Sequence, residues 1–130
     1  MSLVTRVDES KLPRITMHLS GKLDALSYLE FDRSLDAVLG RMPAHGTLVL
    51  DLADLDYISS AGLRSLFRAR KAMKAAGGHS LIVNAQPQVR KVFEIVKAVP
   101  VNEVFRNVAE LDAYLDVMQR KIVGGEEEEY

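Results

Sequence analysis

The five residues Leu48-Val49-Leu50-Asp51-Leu52 limit the possible folds more than any other stretch of the chain. They are almost wholly apolar, which suits a strand covered on both faces, as in a parallel sheet. Asp54 and Asp56 break the run and read as loop. Ser59 and Ser60 then stand just before a periodic helical segment, where helix N-caps belong. The stretch therefore reads as buried strand, polar loop and helix start. A serine in that place has its hydroxyl at the C-terminal edge of the sheet, beside a positive helix end. That end is a good seat for an anion, phosphate included. In open α/β sheets function gathers at this edge.

The rest of the chain builds around that unit. Leu3 to Val7 alternates apolar and polar residues, and Ile15, Met17 and Leu19 share one face of a second run. The two read as a hairpin across the turn-like Asp8 to Pro13. Asp24 is placed to cap the next helix, whose stripe is Leu26, Leu29, Leu35, Val38 and Leu39 and whose end is Gly40. After the serine pair, Leu63, Leu66, Phe67 and Met73 give a buried stripe, and Gly77-Gly78 ends that helix. Ser80 to Asn84 is a short strand, and Pro87 opens a helix with Val89, Val92, Phe93 and Val96 on its apolar face. Val101 to Phe105 reads as a last, weaker strand, and Leu111, Leu115 and Met118 mark a final helix beginning near Asn107. Strands alternating with helices argue for a single α/β domain with a mainly parallel sheet and right-handed crossovers. The expected content is four to five strands and four helices.

Charge and composition exclude several functions. The formal net charge is -1, which gives no general attraction to nucleic acid or membranes. Glu126 to Glu129 hide a mild excess of cations, since the chain without them has 17 basic and 14 acidic residues. Having no cysteine, the chain has no disulfide, thiol nucleophile or cysteine metal site. His18, His45 and His79 are scattered without metal spacing, and Asp51, Asp54 and Asp56 match no ion-binding loop. No nucleophile–base pair and no glycine-rich phosphate loop is present. No apolar run reaches the ~18–20 residues that span a bilayer, and no signal-peptide core is evident. The expectation is a cytoplasmic protein that is not an enzyme, with no catalytic residue, cofactor, metal or direct nucleic-acid partner.

Val49-Leu50-Asp51-Leu52 through Tyr57-Ile58-Ser59-Ser60-Ala61-Gly62-Leu63 resembles the signature of STAS domains, and of bacterial anti-sigma-factor antagonists in particular. Ser20-Gly21-Lys22-Leu23-Asp24 resembles that family's other short motif. Gly77-Gly78-His79-Ser80-Leu81-Ile82-Val83 and Val89-Arg90-Lys91-Val92-Phe93-Glu94 match its later strand and helix in order and spacing. The resemblance covers roughly residues 3 to 118. It assigns residues 1–122 to a STAS-like domain and leaves 123–130 as an acidic flexible tail.

The resemblance implies an antagonist that binds an anti-sigma factor, itself a serine kinase, and so frees a sigma factor for transcription. The kinase phosphorylates the antagonist and breaks the complex, and a serine phosphatase reverses this. Aligned on Gly62-Leu63, the phosphorylated position falls on Ser60, with Ser59 as second choice. The best-known members carry an acidic residue where this chain has Ser59. The family's early aspartate falls on Asp24. Asp24, Ser59, Ser60, Gly62 and Arg64 are the candidate partner-binding residues, with Arg64 one turn along from the serine pair and placed to pair with a phosphate. The charge added there, about -1.5 to -2, is expected to spoil a docking surface rather than melt the fold.

Other readings stand beside this one. Ser59 and Ser60 can simply cap a helix, and Arg64, Arg68, Lys71 and Lys74 can be a solvated face. The same fold also serves as an accessory subunit of transporters or stress-signalling complexes, and some STAS domains are thought to bind nucleotides.

Overall fold

The computed structural model describes residues 3–125. The acidic run Glu126 to Glu129 lies outside them, so the proposed tail is described only at Val123, Gly124 and Gly125. Four strands and five helices follow one another along the described chain. They are β1 (Leu3–Lys11), β2 (Arg14–Leu23), α1 (Tyr28–Arg41), β3 (Thr47–Ile58), α2 (Ser60–Ala75), β4 (His79–Val83), α3 (Pro87–Ala98), the single turn α4 (Val101–Val104) and α5 (Val108–Val123).

The expected hairpin is there. β1 and β2 pair antiparallel with Val7 opposite Met17 and Thr5 opposite Leu19. β2–β3 and β3–β4 pair parallel, which gives the order β1-β2-β3-β4. The sheet is thus mixed but mainly parallel. Ile15, Met17 and Leu19 of β2 and Leu48, Leu50 and Leu52 of β3 are all buried. They join one core cluster with Phe31, Leu35 and Val38 of α1 and Leu63, Leu66 and Met73 of α2. On the other face Val49 is buried, whereas His18 and Asp51 are half-exposed. There His18 Nδ1 lies 3.0 Å from Asp51 Oδ2. The central run is therefore not sealed on both sides along its whole length, as its composition suggested. Partial burial raises the Asp51 carboxyl pKa. Hydrogen bonds from Ala53 and Asn84 and the His18 ring outweigh that and hold it below the usual carboxylate range.

Three sequence expectations give way to local chemistry. Asp54 and Asp56 are not loop residues, because β3 continues through both to Ile58. The register against β2 slips twice, each time leaving one extra residue on β3, between His18 and Ser20 and between Gly21 and Lys22. Such bulges shift the inside–outside phase. The buried positions accordingly run Leu52, Leu55, Ile58, three apart instead of two, and both aspartates point to solvent.

Asp24 does not cap α1; Ser27 occupies the N-cap position. Asp24 starts the turn before it. Its carbonyl accepts the N–H groups of Ser27 and Tyr28, and its Oδ1 accepts the Leu26 N–H at 3.0 Å. Val101 to Phe105 is not a strand, since Glu103 and Val104 donate to Pro100 O and Phe105 donates to Val101 O, closing a helical turn. Valines three apart suit one face of such a turn, and the Phe105 ring then packs on Tyr114 at 5.5 Å. The end of α2 at Gly77 is as expected, with φ at +76°, a conformation natural to glycine.

Candidate functional site

The ends of β2 and β3 lie side by side, with Leu23 opposite Ile58. The next residue on each strand carries the link between them: Ser59 N–H donates to Leu23 O at 3.0 Å. This fixes the position of the α2 N-terminus before any side chain is considered.

The two serines do different things there. Ser59 is the N-cap of α2, in extended backbone with φ -100° and ψ 178°. Its Oγ accepts a long bond from Gly62 N–H at 3.4 Å, its carbonyl accepts Leu63 N–H at 2.9 Å, and the residue is only 5% exposed. Ser60 is the first residue of the helix and is half-exposed. Its N–H donates to Asp112 Oδ1 and its hydroxyl donates to Asp112 Oδ2, each at 2.8 Å. Asp112 comes from α5, 52 residues away in sequence. α2 has no acidic residue in its own first turn, so Asp112 supplies the negative charge that the positive helix end favours.

Gly62 holds the geometry by being small. A Cβ there would lie 2.5 Å from Leu23 O and 2.8 Å from Ile58 Cγ1. The close approach lets α2 start directly against the end of β2. Its role is therefore packing inside the fold; it is buried and offers no surface to a partner. Arg64 is exposed on α2 and, among the described residues, makes no side-chain hydrogen bond or ion pair. Arg68, by contrast, is no free cation. Its guanidinium lies 2.6 Å from Asp36 and 3.5 Å from Asp32, tying α2 to α1.

Asp24 stands on the rim of a cleft of about 810 Å³ at the same sheet edge, lined also by Lys22, Asp56, Tyr57, Asp116 and Arg120. Ser60 is outside that lining. Burial is the chief cause that pushes the Tyr57 phenol up to about 12; the charges of Asp116 and Asp112, a hydrogen bond to Asp116, and the charge of Asp24 add to it. The phenol therefore stays protonated at neutral pH. Asp24, Asp112 and Asp116 thus surround one end of β3 with negative charge. Leu26, 90% exposed, and Leu29, 55% exposed, stand just beyond Asp24.

Sequence reasoning brought Asp24, Ser59, Ser60 and Gly62 to this edge and missed Asp112 and Gln119. Gln119 is 1% exposed; its Oε1 accepts Ile58 N–H at 3.1 Å and its Nε2 donates to Ile58 O at 2.8 Å. A signal for Gln119 existed, since it lies four residues after Leu115 on the buried stripe of α5. A polar residue in an apolar phase position requires a partner. Asp112 has no such local signal.

The STAS domain profile matches residues 5–111. A segment of 48 residues is 48% identical to the candidate anti-sigma factor antagonist BtrV of Bordetella bronchiseptica, covering 37% of this chain and 41% of that protein. The chain thus matches less than half the length of that relative. The fold is similar to an anti-sigma factor antagonist from Mycobacterium paratuberculosis, with TM-score 0.62 and 21% identity over 91% of this chain and 95% of the other. It is also similar to the unphosphorylated anti-sigma factor antagonist SpoIIAA, with TM-score 0.58 and 18% identity over 71% of this chain and 83% of that one. With strand order, serine-capped helix and profile match in agreement, the chain belongs to the STAS domain family.

Proposed function

We propose that the domain is an anti-sigma-factor antagonist switched by phosphorylation of Ser60. It binds an anti-sigma factor that is also a serine kinase, in the cytoplasm, and so releases a sigma factor. The kinase moves a phosphoryl group from a nucleoside triphosphate to Ser60 Oγ. The hydroxyl proton leaves, a nucleoside diphosphate departs, and the complex comes apart. A serine phosphatase hydrolyses the ester and restores binding. The domain supplies a rigid docking edge and one modifiable hydroxyl, and catalysis belongs to its partners.

The observation that carries this reading is the division of labour between the serines. Ser59 is buried and committed to the helix cap, while Ser60 is half-exposed at the start of a helix anchored to two strands. The names of the BtrV and Mycobacterium relatives support the same reading. The partner surface it implies runs from Leu26 and Asp24 across Ser60 to Arg64. A phosphate of about -1.5 to -2 charges added beside Asp112 sets like charge against an acidic partner surface, which costs several kcal/mol, and must be desolvated against an apolar one.

The test uses wild type, Ser60→Ala, Ser60→Glu and Ser59→Ala as baits in lysate of the source organism, with bound proteins identified by mass spectrometry. Wild type, Ser60→Ala and Ser59→Ala are expected to retain a kinase-like partner. Ser60→Glu should retain at least tenfold less, since even one charge-driven loss of 1.4 kcal/mol is a factor of ten. Equal retention of the same partners by all four baits contradicts the switch. It favours instead an accessory subunit of a transporter or stress-signalling complex.

A further inference from the structure

α5 is held to the β3–α2 junction at two points, seven residues or about two helical turns apart. At the first, Asp112 accepts both donors of Ser60. At the second, Gln119 holds both backbone groups of Ile58 and also donates to Leu115 O at 3.2 Å. The first point is half-exposed and rests on the hydroxyl that the proposed switch modifies. The second is buried and involves no group that a kinase touches.

Resting on the reading of Ser60 as the phosphorylated residue, we infer that Asp112 is a latch and that phosphorylation opens it. Esterification removes the hydroxyl hydrogen, and with it one of the two bonds to Asp112. It also puts a dianion where a carboxylate lies 2.8 Å from Oγ. One donor, Ser60 N–H, then faces two anions, and the phosphate attached to its own side chain is the nearer. Asp112 is displaced. Asp24 and Asp116 stand at the same end of β3 and add to the negative charge there, although Asp116 is itself paired with Arg120 at 2.9 Å. Gln119 keeps its hold on Ile58 and Leu115 stays in the core, so the C-terminal half of α5 stays in place while its first turns, left with the packing of Leu111 against the core, loosen. Those turns carry Val108 and Tyr114, both exposed, and Tyr114 stacks on Phe105. The phosphate is thereby reported through α5 as well as at Ser60 itself. Asp112 acts here as a positioning residue, touching neither nucleotide nor partner.

The test needs no kinase. Phosphoserine is placed at position 60 by genetic encoding, and backbone hydrogen exchange is followed in peptides covering residues 108–114 and 117–123. Phosphoserine should speed exchange in 108–114 at least tenfold and leave 117–123 unchanged. Asp112→Ala should speed exchange in 108–114 without phosphate, Asp112→Asn, whose amide can still accept Ser60 N–H and donate to Ser60 Oγ, should do so less, and phosphoserine in the Asp112→Ala background should add nothing further. Unchanged exchange in 108–114 on phosphorylation overturns the latch, as does uniform loosening of the whole chain. The bait comparison reads the other claim separately. Lost partner binding with a rigid α5 sinks the latch and spares the antagonist; a loosened α5 with partner binding intact does the reverse.

Discussion

Gly62→Ala should lower stability by about 3 kcal/mol or more, which for a domain of this size is a melting point roughly 10 °C below wild type. The reason is geometric and not a matter of helix propensity, since alanine is the better helix former by up to ~1 kcal/mol. The added methyl would lie 2.5 Å from Leu23 O, 2.8 Å from Ile58 Cγ1 and 2.9 Å from Leu23 Cγ. The nearest of these is backbone, and it already accepts Ser59 N–H at 3.0 Å. Relief requires α2 to move away from β2, which stretches that bond and shifts Ser60 relative to Asp112. Calorimetry checks the stability, and hydrogen exchange of the Ser59 amide checks the cause. Gly40→Ala is the control, because nothing lies within 4 Å of a Cβ there. It should raise stability slightly, by up to about 1 kcal/mol. Gly62→Ala melting at or above wild type would show that the close approach is easily relaxed.

Gln119→Leu should cost about 2–4 kcal/mol although it fills nearly the same space. The substitution leaves Ile58 N–H and Ile58 O without partners in a buried setting, and unpaired groups of that kind cost about 1–3 kcal/mol each. Gln119→Glu separates hydrogen bonding from volume. A neutral carboxylic acid can still accept from Ile58 N–H and donate to Ile58 O. Burial raises the folded pKa of that acid above its unfolded value, so its share of stability is present at low pH and is lost as pH rises through the folded pKa. Chemical denaturation at several pH values should therefore show Gln119→Glu falling further behind wild type as pH increases, and Gln119→Leu behind by a constant amount. A pH-independent deficit in Gln119→Glu would mean that the site admits water.

What could be read from the sequence was whatever is local. The run Leu48 to Leu52, the serines after it and the stripe Leu63, Leu66, Phe67, Met73 lie within one stretch of chain and declare a strand and a helix, although Phe67 of that stripe is 44% exposed. The hairpin followed from alternation on both sides of a turn. Asp54 and Asp56 misled because two bulges change a period of two into three, and a bulge is decided by the neighbouring strand. Asp24 and Ser27 are both residue types that cap helices, and only Asp24 is expected at the cap from the local pattern. The structure uses Ser27 at the cap and Asp24 to shape the turn before it. Val101 to Phe105 has strand-like composition, yet preceding Pro100 and packing of Phe105 on Tyr114 draw it into a helical turn. At the site, the residues inside the motif were legible. Asp112 and Gln119 reach it from 52 and 61 residues away, and pairings at that distance leave almost no trace in local pattern.

The most direct test of the switch is to incubate wild-type protein and Ser60→Ala with nucleoside triphosphate in lysate of the source organism and to map phosphate by mass spectrometry on the peptide that holds residues 59 and 60. Ser60 is half-exposed, with its hydroxyl held by Asp112 at 2.8 Å, whereas Ser59 is buried at the helix cap. Phosphate should appear on Ser60 of the wild type, and the Ser60→Ala protein should stay unmodified at Ser59. Phosphate on Ser59, or on neither serine while the lysate kinases are demonstrably active, would contradict the account and leave the pair as the cap of a helix.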